Sequence, residues 1–569
     1  MPKAMPTPPP PPPASPPRFL IIGGGIAGVT CAETLHLLRP DSQIALISAT
    51  TLVKSVSNVK VVGKLLEDLT VEEKSATELE RRCPNVRVHQ GKAARLNAVE
   101  KQVTLADGRH LSYDKLCICT GATPKLVAED NPHVIGIRDV ESVVSFQSKL
   151  ASARRICVVG NGGISLELVY EISDCQVVWA IRHHAIGNTF FDAGAAQFLA
   201  PKLFERETAS SSHDAISAAN DAAMRKLKKR PQFESETVNG VAVFTKKPRD
   251  GGGLDAMEEA MQRVKDGEKI ATEGVVGSAL GPDWKETLTM KGALKREASD
   301  DTSKGDEENK SNVMMEYRVE VKEILSADEL RSRTDLHVPS HFPSEASSHS
   351  ADTWPVYVVL SNGHVWGVDL VVSATGVDPT PVPLFNDANS EGGAILETSA
   401  GDGGILVDFH MRTSLPGVFA AGDAATANWQ LAPNWFQMRL WSQARQMGGA
   451  AAKAMVAQVE NQIDYLPQDF CFECFAHVTK FFDYKCVLIG RYNGQGLEGE
   501  EGYHVILRTT PGKEYIKLAV ANNRIQGAVL IGETDLEETF ENLILNQFDI
   551  SQFGENILDP DVDIEDYFD

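Results

Sequence analysis

The sequence predicts an α/β protein in which two similar βαβ domains follow one another, the second inserted in the first, before a smaller C-terminal α+β domain. A glycine-rich loop follows an apolar strand at Phe19–Ile22 and again at Arg155–Val159. Each loop precedes a second strand, an Asp-Gly or Asn-Gly hairpin and an apolar strand that ends in Thr-Gly. Two chance copies in this order are improbable, so we interpret them as two domains of one type.

The first glycine loop carries Gly23, Gly25 and Gly28 at GxGxxG spacing, between the strand and a helical pattern over Val29–Leu38. The first glycine permits a tight turn, the second lets the backbone approach a pyrophosphate, and the third lets the helix pack closely on the strand. The amides at the start of the helix then face the phosphates. This loop therefore predicts dinucleotide binding.

The strand after this helix, 43–48, ends at Ser48. A dinucleotide fold often places Asp or Glu here to hold a ribose hydroxyl, so the usual adenosine contact is in doubt. The strand that closes the cycle runs into Thr120 and Gly121. Both positions lie where a parallel sheet presents its carboxyl edge to a ligand.

The second glycine loop has Gly160, Gly162 and Gly163, followed by Ser165 in a GxGxxS pattern and Glu167 on the next helix. Its strand over 176–180 has no acidic residue at its end, and the cycle closes at Thr375-Gly376. A second dinucleotide site is therefore expected.

The second cycle contains an insertion. The distance from the first glycine to the Thr-Gly glycine is 216 residues here against 98 in the first cycle. Composition places the extra residues at about 201–350, and the polar stretch 295–312 is predicted to be disordered. Basic residues at 225–230 and 246–249 fit either a nuclear-import signal or a solvated charged segment.

Domain spans follow from these patterns. We predict a disordered proline-rich leader at 1–17, a first domain at 18–125 and 367–460, a second domain at 126–366, a C-terminal α+β domain at 465–558 and an acidic tail at 559–569.

Composition limits the functions available. A net charge of −23 argues against direct nucleic-acid binding and against attraction to anionic membranes. No apolar run is long enough to cross a bilayer. Nine cysteines without a regular spacing indicate a reducing compartment. We expect cytoplasm and nucleus, and no metal site.

The stretch Thr413–Asp423 (TSLPGVFAAGD) is the most specific motif in the chain. Together with the two glycine loops, it resembles the class I pyridine nucleotide-disulfide oxidoreductase family, over residues 18–457. The resemblance implies FAD at the first loop with Asp423 on the ribityl chain, and NADH or NADPH at the second loop. A helix over 433–457 would point its N-terminus at the flavin. The predicted cofactor-binding residues are Gly23, Gly25, Ile26, Ala27, Gly28, Ser48, Lys54, Thr120, Gly121, Gly160, Gly162, Gly163, Ile164, Glu167, Arg182, Gly376, Gly422 and Asp423.

The redox cysteines of that family are missing from their usual place, because residues 49–62 contain none. Cys117 and Cys119 are expected to be core residues beside the flavin. Cys471 and Cys474 form a CxxC in the C-terminal domain, which we interpret as buried thiols rather than a redox pair. Lys54 lies where relatives without the disulfide carry a lysine near flavin N5, and is the candidate catalytic residue.

The nicotinamide donor is not fixed by the pattern. Arg182 and His183 follow the second strand of the second cycle and could contact a 2′-phosphate, or could simply be exposed. We expect both NADH and NADPH to be accepted.

Segments such as GNTFFDAG (187–194) resemble a narrower animal subgroup of the family. That resemblance implies a role in oxidative stress, in which a slow flavoprotein protects a partner such as the tRNA ligase complex from oxidation. The acidic tail, with Ile564, Tyr567 and Phe568 among its charges, is either a solvated end or the segment that binds this protein partner. The alternative function is electron transfer to a quinone, to oxygen or to a redox protein. The oligomeric state is left open.

Overall fold

The computed structural model describes most of the chain, and every structural statement below refers to that part. The described residues are 18–137, 140–209, 233–238, 241–246, 290–294, 312–336, 340–342, 354–380, 396–562 and 564. The leader at 1–17 lies outside them. Within these ranges, no helix has both the length and the apolar character needed to cross a membrane.

The first part of the chain builds a parallel sheet with helices on it. The elements are β1 (Arg18–Ile22), α1 (Ile26–Leu38), β2 (Gln43–Ser48), β3 (Leu52–Val61), β4 (Glu67–Ser75), α2 (Ala76–Arg82), β5 (Val86–Gln90), β6 (Ala93–Asn97), β7 (Gln102–Leu105), β8 (His110–Ser112), β9 (Lys115–Ile118) and β10 (Ala122–Pro124). Strands β9, β1, β2 and β5 pair in parallel in that order, while β3–β4 and β6–β7–β8 are antiparallel. The predicted Asp-Gly turn joins β7 to β8, with Gly108 at φ +87°.

The middle of the chain repeats this plan. The elements are β11 (Val134–Gly136), α3 (Val140–Leu150), β12 (Arg155–Val159), α4 (Gly163–Glu171), β13 (Gln176–Ile181), α5 (Ala193–Ala209), β14 (Phe233–Val238), β15 (Val241–Lys246), β16 (Val313–Tyr317), β17 (Val321–Leu325), α6 (Ala327–Ser332), β18 (Val356–Leu360), β19 (Val365–Val368), β20 (Leu370–Ser373) and β21 (Val377–Pro379). A parallel sheet has the order β11-β20-β12-β13-β16, and β17–β18–β19 form an antiparallel layer beside it. The predicted Asn-Gly turn joins β18 to β19.

The chain then returns to the first sheet. The elements are β22 (Ile405–Val407), β23 (Val418–Ala420), the 3-10 helix Gly422–Ala424, β24 (Ala425–Ala427) and α7 (Trp441–Val459). Strand β23 pairs with β9. The first sheet therefore contains strands that precede and strands that follow the second parallel sheet in the sequence. A short antiparallel ladder of β10 and β21 links the two units.

Helix α7 begins later than the sequence pattern predicted. We expected helix from Pro433, yet it starts at Trp441. The residues before it hold their backbone by side-chain bonds instead. The amide of Gln437 donates to Ala425 O and its carbonyl accepts from Ala427 N, both at 2.8 Å. Gln443 accepts from the Met438 N–H at 2.7 Å, so side chains bind backbone groups of this segment, which is not helical.

The C-terminal domain is a sheet with one helix packed on it. Its elements are β25 (Ala476–Phe481), β26 (Tyr484–Gly490), β27 (His504–Thr510), β28 (Glu514–Ala521), β29 (Arg524–Gly532) and α8 (Glu537–Asn546), with 3-10 turns at Ile463–Tyr465, Phe470–Phe472 and Gly554–Leu558. The order of the sheet is β14-β15-β27-β28-β29-β26-β25.

The insertion is shorter than the predicted span of about 201–350. Strand β16 pairs in parallel with β13, and β17 pairs with β18, so the chain from Val313 onward belongs to the second unit. Within the insertion, β15 pairs in parallel with β27 of the C-terminal sheet. Composition could not reveal these three pairings, because each depends on a partner strand that is distant in the sequence. Residues 225–230, 247–289 and 295–311 lie outside the described part.

The acidic tail begins as part of the C-terminal domain. Ile564 is only 3% exposed and packs in one apolar cluster with Ile557 and Leu558. The segment predicted as a free tail at 559–569 is therefore anchored at Ile564, because burying that side chain offsets the cost of ordering the backbone. Residues 565–569 lie outside the described part.

Candidate functional site

The first glycine loop is shaped by contacts that leave no room for side chains on two of its glycines. Gly23 has φ +124°, and a Cβ there would lie 2.0 Å from Cys119 O. A Cβ on Gly28 would lie 2.0 Å from Gly23 O. Gly25 differs, because nothing of the protein lies within 4 Å of its Cβ position and it faces a cavity. Helix α1 starts at Ile26 without a side-chain cap, so its first amides are available at this cavity.

The cavity has a volume of about 570 Å³ and runs from the first glycine loop to the second unit. It gathers ten of the predicted residues: Gly23, Gly25, Ile26, Ala27, Ser48, Lys54, Thr120, Gly121, Ile164 and Asp423. Gly28 and Gly422 lie behind it as packing residues. Gly28 lets α1 approach β1, and a Cβ on Gly422 would lie 2.7 Å from Ala27 Cβ.

Lys54 lies on the cavity wall beside Glu73, an acidic residue that no sequence motif indicated. It pairs in register with Glu73 across the β3–β4 hairpin. Lys54 Nζ lies 4.0 Å from Glu73 Oε1, and the two side chains are 19% and 12% exposed. The Lys54 amide donates to Gly24 O at 2.9 Å, which fixes this strand to the first glycine loop. The hairpin thus presents a paired ammonium and carboxylate to the cavity.

The tip of this hairpin is held by the C-terminal domain. Glu541 on α8 is fully buried, and its carboxylate accepts backbone N–H bonds from Lys64, Leu65 and Leu66. Arg445 on α7 forms an ion pair with Glu67 where β4 begins. The wall that carries Lys54 is therefore braced by two other parts of the fold.

Asp423 lines the cavity at the end of the TSLPGVFAAGD motif. Its loop is held by Arg439, whose guanidinium donates to the Asp423 backbone oxygen at 3.1 Å and to Asp402 Oδ2 at 2.5 Å. Burial raises the pKa of Asp402, but the bonds from Arg439 and its neighbours outweigh that effect and hold this pKa at about 2. The sequence motifs did not indicate Arg439 and Asp402, because the contact between these two residues depends on the fold of the chain that separates them.

Ser48 lies at the end of β2, where the acidic residue of a dinucleotide fold is usual. Its hydroxyl donates to Leu52 O at 3.3 Å, and a Cβ on Gly24 would lie 2.5 Å from Ser48 Oγ. Ser48 therefore packs beneath the first glycine loop. Gly91 and Lys92, which follow β5 at the same sheet edge, also line the cavity and were not predicted.

The second glycine loop repeats the geometry of the first. Gly160 has φ +138°, and a Cβ there would lie 2.1 Å from Ala374 O, as one on Gly23 would meet Cys119 O. Gly162 caps α4, which starts at Gly163, and Ser165 donates to Gly162 O at 2.7 Å. Of this loop's predicted residues, Ile164 alone is among those lining the cavity.

Of the other predicted residues, Glu167, Arg182 and Gly376 do not line the cavity, whereas Gly121 does. Glu167 is half-buried on α4, and Arg182 is exposed after β13. Gly376 has φ +101° and accepts a bond from the Lys125 N–H, while Gly121 has φ +71° and accepts one from Thr380. These two glycines are equivalent turns at the crossing of the two units. Their positions neither require nor oppose nucleotide contact, so those assignments stay predictions.

The cysteines form no disulfide in the described chain, where all nine are thiols. Cys117 and Cys119 are buried with their sulfurs 3.5 Å apart, and Cys119 reaches the cavity lining. The bond with Cys119 lowers the pKa of Cys117, but the bond with Cys31 and burial outweigh it and hold that pKa well above the ordinary value. The bond with Cys117 and burial raise the pKa of Cys119 well above the ordinary value as well. Burial likewise raises the pKa of Cys471, and that of Cys474 to about 12. Neutral, buried thiols are poor nucleophiles.

Residues 17–242 and 308–448 match the family described as pyridine nucleotide-disulphide oxidoreductase. The chain belongs to the pyridine nucleotide-disulphide oxidoreductase family. A Homo sapiens relative, "Pyridine nucleotide-disulfide oxidoreductase domain-containing protein 1", is 46% identical over 553 residues, which is 97% of each chain. The resemblance noted from the sequence motifs is thereby confirmed.

Two solved structures share the fold of this chain. The covalent putidaredoxin reductase–putidaredoxin complex aligns with a TM-score of 0.56 at 15% identity, covering 97% of this chain and 98% of that one. The water-forming NADH oxidase from Lactobacillus brevis, bound to NADH, aligns with a TM-score of 0.53 at 14% identity, covering 94% and 92%. At such identities the likeness shows the fold alone.

The residues present fit the FAD that the family uses. The cradle at Gly25 would be filled by a Cβ, the first amides of α1 face it, and Asp423 offers a carboxylate at the other side of the same cavity. An anionic pyrophosphate suits a helix N-terminus, and a carboxylate suits the hydroxyls of a ribityl chain. In the described residues, no group of His, Cys, Asp and Glu side chains is placed to hold a metal ion.

Proposed function

We propose that the protein is an FAD-dependent NAD(P)H oxidoreductase that works without a redox dithiol. The observation that carries the proposal is the cavity joining the first glycine loop to Ile164 of the second, with Lys54 and Glu73 on its wall. FAD bound there would supply the chemistry that side chains lack, accepting hydride from a nicotinamide and releasing the electrons to an acceptor.

The protein's own residues bind and orient the cofactor. The open side of Gly25 admits a pyrophosphate, and the amides of the first turn of α1 donate to it. The Asp423 carboxylate would accept hydrogen bonds from the hydroxyls of the FAD ribityl chain. Helix α7 starts at Trp441 beside the cavity with no side-chain cap, so its N-terminal dipole favours negative charge at that end.

Lys54 is the residue proposed to act on the reacting end of the cofactor. Its ammonium stands on the cavity wall in a poorly exposed position, where water screens charge weakly. A cation at this wall stabilises negative charge that develops inside the cavity. Glu73 keeps Lys54 in place and balances its positive charge when no negatively charged group occupies the cavity. Lys54 therefore favours the reduced, more negative state of the site.

The state of the thiols affects the second half of the reaction. Family members with a dithiol can store electrons there, whereas the buried thiols here have raised pKa values and lie unpaired in the core. Electrons must leave the cavity directly to an acceptor. We therefore propose that this step is slow with small acceptors.

We propose that this slow flavoprotein acts in the oxidative stress response and protects a partner such as the tRNA ligase complex, in the cytoplasm and nucleus. The resemblance to the animal subgroup supports this, as does the acidic end of the chain. Ile564 is buried in the C-terminal domain, so this residue of the acidic segment is fixed to the folded body. The alternative is electron transfer to a quinone, to oxygen or to a redox protein. It is favoured by two structural neighbours, a putidaredoxin reductase in complex with putidaredoxin and a water-forming NADH oxidase.

The visible spectrum of the purified protein discriminates these functions. Flavin absorption that bleaches with NADH or NADPH and recovers slowly in air supports the protective role, while fast turnover with a quinone or a ferredoxin supports the alternative. Absence of bound flavin, or flavin that no nicotinamide nucleotide reduces, overturns the proposal.

The partner is tested by a truncation after Ile564, which spares the buried anchor. The protective role predicts unchanged flavin reduction and weaker capture of the tRNA ligase complex than by the full chain. Equal capture of the complex by the truncated and the full chain, at low and at high salt, would contradict the role proposed for the tail.

A further inference from the structure

We propose that the second dinucleotide site prefers NADPH, and that Arg318 together with Arg182 forms the binding site for its 2′-phosphate. The proposal rests on the proposed function and deepens it by naming the donor. Arg318 was not among the residues suggested by the sequence, because it lies 136 residues after Arg182, beyond the insertion.

The two parallel sheets locate the position that normally selects NADH. In the first sheet the Gly23 N–H donates to Ile47 O, and the next residue, Ser48, occupies the place of the ribose-binding acid. In the second sheet the Gly160 N–H donates to Ala180 O. The equivalent next residue is Ile181, which is fully buried. The site therefore lacks the carboxylate that would bind a free 2′-hydroxyl and repel a 2′-phosphate.

The neighbouring strand brings a second guanidinium to this position. Strand β16 pairs with β13 in a register that places Tyr317 beside Ile181. The Arg318 N–H then donates to His183 O at 3.1 Å, and the Val319 N–H donates to Ile181 O at 3.0 Å. Arg318 and Arg182 are both exposed and bracket the end of β13. The backbone thus fixes two arginines and one histidine around the point where the ribose edge would lie.

The backbone of Arg318 is itself unusual. It has φ +57°, a left-handed conformation that is uncommon for a residue other than glycine, Asn or Asp. Such conformations persist where the surrounding structure holds them, and they are concentrated at binding sites. Here the bond to His183 O holds it.

The loop that carries the cations is also fixed to the second glycine loop. Asn161, buried between the glycines, donates to Ala185 O at 2.8 Å, and its carbonyl accepts from the Gly187 N–H at 2.7 Å. The Asn161 amide lies 3.3 Å from His183 Nδ1. A pyrophosphate on this glycine loop and a phosphate near the arginines would therefore be held at a set separation.

The acidic side chain near the end of β16 is bound by other groups. Glu316 on β16 is buried and its carboxylate accepts bonds from Asn362, His364 and Trp366. These contacts direct it into the layer formed by β18 and β19. Glu320 is exposed two residues after Arg318, and it is the acidic group in this segment that could compete for the guanidinium.

The test measures binding of two small probes by calorimetry, adenosine 2′,5′-bisphosphate and 5′-AMP, to the full chain. We expect the bisphosphate to bind at least about tenfold more tightly, since charge-assisted bonds to phosphate are strong. Arg318→Leu and Arg182→Leu should each lower that ratio by roughly tenfold, whereas Arg318→Lys should restore part of it. Arg81→Leu, which removes an exposed arginine from α2, is the matched control and should change nothing.

Flavin reduction is then measured with NADPH and with NADH in the same variants. The preference predicts that Arg318→Leu loses rate with NADPH and keeps it with NADH. Equal binding of the two probes by the wild-type chain, or an unchanged ratio in Arg318→Leu, overturns the inference. Failure of both nucleotides to reduce the flavin overturns the proposed function instead, so the two failures are distinguishable.

Discussion

Lys54 and Glu73 face each other across the β3–β4 hairpin, with Nζ 4.0 Å from Oε1, on the wall of the cavity that the first glycine loop opens. In the proposed function, the cation at this position links the fold to electron uptake, because it favours negative charge in the cavity.

Replacing Lys54 with Met removes the charge and keeps most of the side-chain length. We expect flavin reduction by NADPH or NADH to slow by roughly tenfold and the flavin potential to become more negative, because the reduced state loses its nearby cation. Stopped-flow absorbance and a redox titration measure the two effects. Lys60→Met, on the exposed end of the same strand, is the control. Wild-type values in Lys54→Met would remove Lys54 from the mechanism.

Replacing Gly25 with Leu should yield a folded protein without flavin. Its Cβ position is open on the protein side, so the added side chain enters the cavity where the pyrophosphate would lie. Gly499→Leu is a matched control, since that glycine also has open space and no left-handed backbone. Asp423→Ala should weaken flavin binding as well. The ratio of flavin to protein absorbance measures all three, and a flavin-saturated Gly25→Leu protein would contradict the assignment of the site.

The double substitution of Cys471 and Cys474 by Ser should leave flavin reduction by nicotinamide unchanged. Both thiols have raised pKa values and lie away from the residues that line the cavity. Reduction rates and the thermal midpoint are compared with wild type. A large loss of rate with the fold intact would reveal a redox role for this CxxC.

His477 gives the protein a predictable sensitivity to acid. His477 is half-buried, and the loss of hydration around its ring lowers its pKa to about 4. Its Nδ1 lies 3.2 Å from Ser442 Oγ. Between about pH 6.5 and pH 4 the unfolded chain binds a proton here that the folded chain does not, so stability falls as the pH falls through this range. His477→Gln should lose less unfolding free energy than wild type between pH 7 and pH 5 in denaturant titrations. His504→Gln should behave as wild type. Parallel curves for all three would contradict this assignment.

Local patterns predicted much of the site. The glycine loops, the two hairpin turns and the strand leading to Asp423 depend on residues close in sequence, and each was predicted from the chain alone. Glu73 opposite Lys54 depends on the register of a hairpin, and Arg318 beside His183 depends on which strand joins the edge of a sheet. Neither of these strand pairings can be read from the amino-acid composition. The start of α7 at Trp441 was also missed, because the side chains of Gln437 and Gln443 satisfy the backbone that a helix would otherwise satisfy.

In the proposed function, electrons that enter the flavin cannot pass on to a redox disulfide. An anaerobic titration with NADPH or NADH, followed at the flavin absorption maximum, tests it most directly. The account predicts complete bleaching at about one nucleotide per flavin, since a flavin takes up two electrons. An end point near two nucleotides per flavin would reveal a second two-electron group, such as a disulfide, and would contradict the account.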